Sequence, residues 1–174
     1  MTLTTPLSAF VRDVPDFPKA GILFRDITPL LSHAEAFSEA VAAMAQPVLT
    51  LQPTHVLGLE SRGFIFGSAL AQKLGVGFVP ARKPGKLPMA THKEAYGLEY
   101  GSDALEIHMD AFGPGDRVLI VDDVMATGGT AAAAQRLVQK TGAQPVALTV
   151  FIELTSLPGR AKVEGLPVFS VLRY

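Results

Sequence analysis

The chain has 174 residues, no cysteine and a formal net charge of −1, which fits one domain with one core and excludes disulfides, thiol catalysis and zinc–thiolate sites. The near-neutral charge gives no electrostatic reason to bind nucleic acid or acidic membranes, and the absence of a leader-like start or a run of about 18 apolar residues leads to a cytoplasmic expectation. Hydrophobic residues make up 48% and charged residues 18%, below the roughly 25% charged residues of ordinary soluble domains, so part of the apolar surface is expected to be covered by a second subunit, as in a homodimer.

Leu7, Phe10 and Val11 have helical spacing, ended by Pro15 and Pro18. Asp16 to Pro29 mixes turn residues with apolar ones, has no period and reads as an ordered, irregular segment. Ser32, with Glu35 three positions on, forms a capping box for a helix whose inner face carries Phe37, Ala40, Val41 and Met44. His55 to Leu59 reads as a short strand, about Ile65 to Leu74 as a helix stopped by Gly75, and Val76 to Ala81 as the next strand. A strand, helix and strand this closely spaced predict a right-handed parallel unit. Arg82 to Lys93 carries Arg82, Lys83, Lys86 and Lys93 with two prolines and no acid, and reads as a mobile basic loop. Leu98, Tyr100, Leu105 and Ile107 alternate with polar residues, predicting a hairpin that turns near Gly101, Ser102 and Asp103. Val118 to Val121 reads as a buried parallel strand, and roughly Thr130 to Thr141 as a helix capped by Gly142. Two further strands follow, Pro145 to Leu154 and Val168 to Leu172.

Most of the chemistry is concentrated after the Val118 strand. Asp122 and Asp123 stand at its C-terminal end, and Ala126, Thr127, Gly128, Gly129 and Thr130 lead into a helix. In open α/β sheets ligands bind beyond the carboxyl ends of strands. Glycines there let backbone N–H groups approach an anion, threonines add hydroxyl donors, and the helix contributes the positive end of its dipole. A Walker A loop is excluded because position 129 is Gly where that loop needs Lys, and no dinucleotide G-x-G-x-x-G turn is present. A monophosphate fits better. Carboxylates beside it would repel it, so Asp122 and Asp123 are expected to accept hydrogen bonds from other donors on the same ligand, such as vicinal ribose hydroxyls. An Asp pair that binds Mg²⁺ or accepts a phosphoryl group remains the alternative on these residues alone.

The stretch Val118 to Thr130 resembles the 5-phosphoribosyl 1-diphosphate motif of the type I phosphoribosyltransferases. The resemblance implies an α/β fold with a mainly parallel, twisted sheet flanked by helices. It also implies one domain over residues 1–174, with a small hood at about 15–30 and a mobile lid at about 83–97. The ribose hydroxyls would lie on Asp122 and Asp123, and the 5-phosphate in Ala126 to Thr130. Ser61 and Arg62 would hold pyrophosphate in a loop where the family often has a non-proline cis peptide, here Glu60–Ser61. Without the resemblance, a solvated surface residue remains the alternative reading of Arg62. Arg82, Lys83 and Lys86 would neutralise the diphosphate leaving group from the lid, whose closure would exclude water.

Further resemblance extends over about Asp13 to Leu172, through Phe17-Pro18, Phe24-Arg25-Asp26-Ile27, Glu60 to Phe64, Arg82 to Pro88, Leu98 to Gly101 and Glu153-Leu154. These residues are similar to the adenine-specific branch of that family. That similarity places adenine on Phe24, with the backbone of Leu23 and Arg25 reading its Watson–Crick edge. It also places Glu99 beside N7 as a catalytic acid or base together with Arg62. A buried backbone N–H and C=O can pair with adenine's ring nitrogen and exocyclic amine, whereas a 6-oxo purine reverses that pattern. The implied reaction is adenine plus 5-phosphoribosyl 1-diphosphate giving AMP and pyrophosphate. Mg²⁺ would be held by diphosphate, ribose hydroxyls and waters, with no direct protein ligand. The same chemistry on a 6-oxo purine such as xanthine, or a regulator sensing the diphosphate, are the rivals. His33, His55, His92 and His108 share no ligand spacing.

Overall fold

The computed structural model describes residues 4–97 and 102–174, and these divide into two units, Met1–Ala43 and Met44–Tyr174. In the first unit β1 (Arg12–Pro15) and β2 (Leu23–Asp26) form an antiparallel pair, with Val14 opposite Phe24. A short helix, α1 (Thr28–Leu31), follows, and then α2 (Ala34–Ala45). Two sequence expectations change here. The predicted first helix is only a 3-10 turn, Leu7–Phe10, because Arg12 to Pro15 is taken up by strand pairing. The segment read as irregular contains β2. Ser32 is not the helix cap: its hydroxyl donates to Pro29 O at 3.0 Å, while His33 Nδ1 accepts the Ala36 N–H at 3.3 Å and His33 O the Phe37 N–H at 2.9 Å. An imidazole thus satisfies an orphan N–H of the first turn.

The second unit is built on five strands, β3 (His55–Leu59), β4 (Gly77–Ala81), β7 (Arg117–Met125), β8 (Gln144–Glu153) and β9 (Val168–Arg173). They lie in the order β4-β3-β7-β8-β9, and every neighbouring pair is parallel. Two twelve-residue helices, α3 (Gly63–Leu74) and α4 (Gly129–Lys140), connect β3 to β4 and β7 to β8. Leu148 and Val150 share a buried cluster with Ala131 to Ala134, Leu137 and Val138 of α4. Phe151, next along β8, stacks instead on Phe66 of α3 at 5.5 Å. Side chains alternate along a strand, so the two helices cover opposite faces of the sheet. That double burial explains why the inner strands β3, β7 and β8 read as apolar runs.

A hairpin, β5 (Thr91–Gly97) with β6 (Ser102–His108), completes the unit. It is pinned to α4 through Glu94, whose carboxylate meets Arg136 Nε at 3.1 Å and Lys140 Nζ at 2.7 Å. The basic segment is therefore shorter than the sequence indicated, since Thr91 to Lys93 are already strand and Arg82 bridges Glu106 through both backbone groups, at 2.9 and 2.7 Å. Of the predicted turn, Ser102 and Asp103 are strand residues of β6, opposite Gly97 and Tyr96, while Gly101, with Leu98, Glu99 and Tyr100, lies outside the described residues. No helix among the described residues is long and apolar enough to cross a membrane.

Candidate active site

The site lies at the C-terminal ends of β3 and β7, neighbours in the sheet. β7 runs through the acidic pair to Met125, further than the sequence suggested, so Asp122 and Asp123 are strand residues. Asp123 is buried and Asp122 half-buried. Asp122 Oδ1 accepts the Asp123 N–H at 2.8 Å. Burial, reinforced by the neighbouring Asp123 carboxylate, pushes the Asp122 carboxyl well above its ordinary range, with Arg62 opposing the shift. Asp123 Oδ2 lies 2.8 Å from Arg62 Nε, yet no aligned hydrogen-bond donor reaches that oxygen. The contact is an ion pair with acceptor capacity left over, suited to a hydroxyl donor from a ligand.

Arg62 is the N-cap of α3, where a lone cation opposes the helix dipole, and Asp123 compensates it. The helix can start this close to β7 only because position 63 is glycine. A Cβ there would fall 2.9 Å from both Asp122 Oδ1 and Val121 O. The Glu60–Ser61 peptide just before it is cis. Glu60, Ser61, Arg62, Lys83, Asp122 and Asp123 are among the residues lining a cavity of about 410 Å³, within the usual size of small-molecule sites.

The loop Ala126 to Thr130 closes over a second, smaller cavity of about 100 Å³, whose lining includes Asp122, Ala126, Thr127, Gly128 and Thr130. That is several times the roughly 10–15 Å³ one water needs. Gly128 has φ +77° and forms the N-cap of α4. Gly129 differs: a Cβ there would make only ordinary contacts, and the residue lines a neighbouring hollow with Tyr96 and Arg136. Of the two glycines in the motif, backbone geometry demands only the first.

The bases expected to meet a diphosphate are already paired. Glu60 Oε2 accepts Arg82 Nε at 3.0 Å and the Lys83 N–H at 2.7 Å, and Oε1 accepts Lys86 Nζ at 2.5 Å. Burial raises the Glu60 carboxyl and these donors outweigh it, leaving the pKa at about 2 against an ordinary 4.5. The Lys83 ammonium pairs with Asp103 and lies 3.3 Å from Tyr96 Oη, which donates to Asp103 Oδ2 at 3.2 Å. The sequence reading placed Glu60 only in the stretch Glu60 to Phe64 and its peptide with Ser61, placed Asp103 only near a turn and gave Tyr96 no contact, because nothing local shows which cations they meet. Only the pairing of β5 with β6, Tyr96 opposite Asp103, brings the last two together.

Leu23, Phe24 and Arg25 lie on β2 in the first unit, where Phe24 and Phe17 meet edge to face at 5.1 Å and Arg25 pairs with Asp13. Glu99 lies outside the described residues. Among the described residues no group of three His, Cys, Asp or Glu side chains is placed to hold a metal. The carboxylates Glu60 and Asp123 already face cations. Such a donor set suits Mg²⁺ carried in by phosphate oxygens and water better than Mg²⁺ caged by protein.

A family model, the phosphoribosyl transferase domain, matches residues 29–167. An adenine phosphoribosyltransferase of Carboxydothermus hydrogenoformans is 54% identical over 168 residues, 97% of this chain and 99% of that one. The crystal structure of the adenine phosphoribosyltransferase from Rhodothermus marinus superimposes with a TM-score of 0.92 at 52% identity, covering 97% of this chain and 96% of that one. That of the Saccharomyces cerevisiae enzyme, complexed with an imino-altritol bisphosphate and adenine, gives 0.91 at 43% identity, covering 95% and 97%. With its parallel sheet, its acidic strand end and its Gly128 loop, the chain belongs to the adenine phosphoribosyltransferases within the phosphoribosyl transferase family.

Proposed function

We propose that this chain transfers the phosphoribosyl group of 5-phosphoribosyl 1-diphosphate to N9 of adenine, giving AMP and pyrophosphate in purine salvage. The observation that carries the reading is the meeting of two subsites at one sheet edge: the Gly128 loop for a monophosphate and the Arg62, Lys83 and Asp123 cavity beside it. Relatives named for adenine, and the yeast structure holding it, supply the acceptor.

In this reading Ala126 to Thr130 hold the 5-phosphate through backbone N–H groups and the Thr127 and Thr130 hydroxyls. Asp122 and Asp123 accept the ribose hydroxyls. Ser61, Arg62, Arg82, Lys83 and Lys86 take the diphosphate. Phe24 stacks on adenine while the backbone of Leu23 and Arg25 reads its edge. N9 forms a bond to C1 of the ribose as the bond from C1 to the diphosphate oxygen breaks and pyrophosphate leaves with that electron pair. The positive charge developing at the ribose is offset by Asp123, with Asp122 beside it, and the charge on the leaving group by the bases around it. Glu99 hydrogen-bonds N7 or takes the proton that adenine loses. Mg²⁺ bound to the diphosphate supplies further neutralisation of the leaving group. Lid closure by the Lys83 to Ala90 segment, which precedes the hairpin pinned to α4, keeps water from the reacting carbon.

A cytoplasmic homodimer completes the reading, supported by the low charged fraction and by exposed Leu49, Ile65, Met89 and Met109. Incubation with 5-phosphoribosyl 1-diphosphate, Mg²⁺ and each labelled purine in turn tests the function. AMP from adenine is expected. XMP or GMP from the other bases, with no AMP, would end the adenine assignment.

A further inference from the structure

The segment after β8 contributes no ligand contact in the scheme above, yet its backbone is one wall of the Gly128 loop. A Cβ built on Gly128 would lie 2.2 Å from Gly159 O, and one built on Gly159 would lie 2.5 Å from Ala126 O and 3.1 Å from Met125 Cγ. The two stretches approach each other backbone to backbone at Gly128 and Gly159, with the Met125 side chain beside them. Leu154 N–H donates to Met125 O at 3.0 Å, which ties the start of the segment to the end of β7.

The residue after Gly159 anchors it. Arg160 Nε and Nη2 donate to Glu153 Oε1 and Oε2 at 2.6 and 2.8 Å, a two-pronged pair, while Nη1 donates to Val168 O at 3.0 Å. Glu153 ends β8, its side chain is 4% exposed, and Ser170 Oγ donates to it at 2.6 Å with Arg173 Nε 3.5 Å away. A carboxylate this enclosed is costly to leave unpaired, and planar Arg matches it with two parallel hydrogen bonds. The guanidinium is thereby fixed to the ends of two strands, and the Gly159 backbone with it.

We infer that Arg160 and Glu153 are positioning residues for the ribose 5-phosphate: the pair holds the Gly159 backbone against Ala126 and Gly128 and so sets where the loop's N–H groups point. The inference rests on assigning Ala126 to Thr130 to that phosphate. Its specific consequence is selectivity between subsites. The diphosphate cluster is built on the ends of β3 and β4 and on the hairpin, so loosening Arg160 spares it.

Calorimetric titration of the purified full chain with ribose 5-phosphate, and separately with inorganic pyrophosphate and Mg²⁺, provides the test. Arg160→Gln and Gly159→Ala are each expected to weaken ribose 5-phosphate binding about tenfold or more, the scale of loss when a positioning contact moves, while pyrophosphate affinity stays within about twofold. In steady state the KM for 5-phosphoribosyl 1-diphosphate rises more than kcat falls. Arg160→Lys, which keeps the charge without the fork, falls between parent and Arg160→Gln. Equal loss of both ligands, or undiminished ribose 5-phosphate binding, would overturn the inference. If thermal unfolding shows Arg160→Gln to be misfolded, Arg160→Lys decides: ribose 5-phosphate binding weakened with pyrophosphate affinity kept supports the inference, and parent-like binding of both overturns it. A parent chain that binds pyrophosphate but no ribose 5-phosphate would overturn the loop assignment, and this inference with it.

Discussion

Glu60→Gln tests whether the bases of the diphosphate cluster are held in reserve by an internal anion. The substitution keeps the shape of the side chain and removes its charge from contacts with Arg82 Nε at 3.0 Å and Lys86 Nζ at 2.5 Å. A carboxyl held at about 2 instead of 4.5 carries about 3 kcal/mol of preference for its charged form. Lys86 is 49% exposed and Arg82 33%, so solvent screens this to about 1–2 kcal/mol. The same amount opposes a diphosphate that must draw those cations away from Glu60. Glu60→Gln is therefore expected to lower the melting temperature by about 2–8 °C, on a scale of about 2–4 °C per kcal/mol for a chain of this size. It should also tighten inorganic pyrophosphate by about 5- to 30-fold. Calorimetric titration with pyrophosphate and Mg²⁺ reads the second effect directly. Weaker or unchanged binding would refute the reasoning, because it would make Glu60 a scaffold for Arg82 and Lys86 and not their competitor.

Three further outcomes follow from the same geometry. Asp123→Asn removes both the Arg62 partner and a charged acceptor for a ribose hydroxyl, and should cost about 1.5–3 kcal/mol in 5-phosphoribosyl 1-diphosphate binding; unchanged KM and kcat would exclude the ribose role. Glu99→Gln should lower kcat by a larger factor than it raises the KM for adenine, and lost thermal stability with normal kcat would make Glu99 structural. Glu60 and Glu153 are both held at about 2, Glu153 chiefly by Arg160. A depressed folded-state pKa contributes stability that is complete above the unfolded value of 4.5 and fades as pH falls towards 2. Urea midpoints should accordingly fall across that window, and Glu153→Gln, already lacking one such carboxylate, should show a shallower fall.

Sequence was most informative where one physical pattern dominates. Strands buried on both faces are continuous apolar runs, so the cores of β7 and β8 could be located from Val118, Ile120, Leu148 and Val150 without any contact information. The loop from Ala126 to Thr130 was legible because small residues between a strand and a helix serve few purposes other than approach to an anion. Elsewhere local pattern lost to pairing. Arg12 to Pro15 and Leu23 to Asp26 carry no alternation, and each is a strand because the other lies beside it. Thr91 to Lys93, basic and polar, became strand through partners in β6. The clamp of Glu153 and Arg160 left no periodic trace, since its meaning depends on where Gly159 meets Gly128 in space.

The same limit applies to charge. Along the chain Arg82, Lys83 and Lys86 form an acid-free basic run, which suggests an open receptor for a diphosphate. Their neutralising partners come from far away in sequence: Glu60 from the end of β3, Asp103 from β6. Arg62 likewise faces Asp123 from the neighbouring strand. Each of these bases thus begins in an ion pair, and an incoming diphosphate displaces a carboxylate without meeting bare charge. Displacing the internal carboxylates opposes binding, and the internal pairs re-form when pyrophosphate departs. A site arranged this way trades ground-state affinity for release of its anionic product, which is the balance that favours turnover over tight binding.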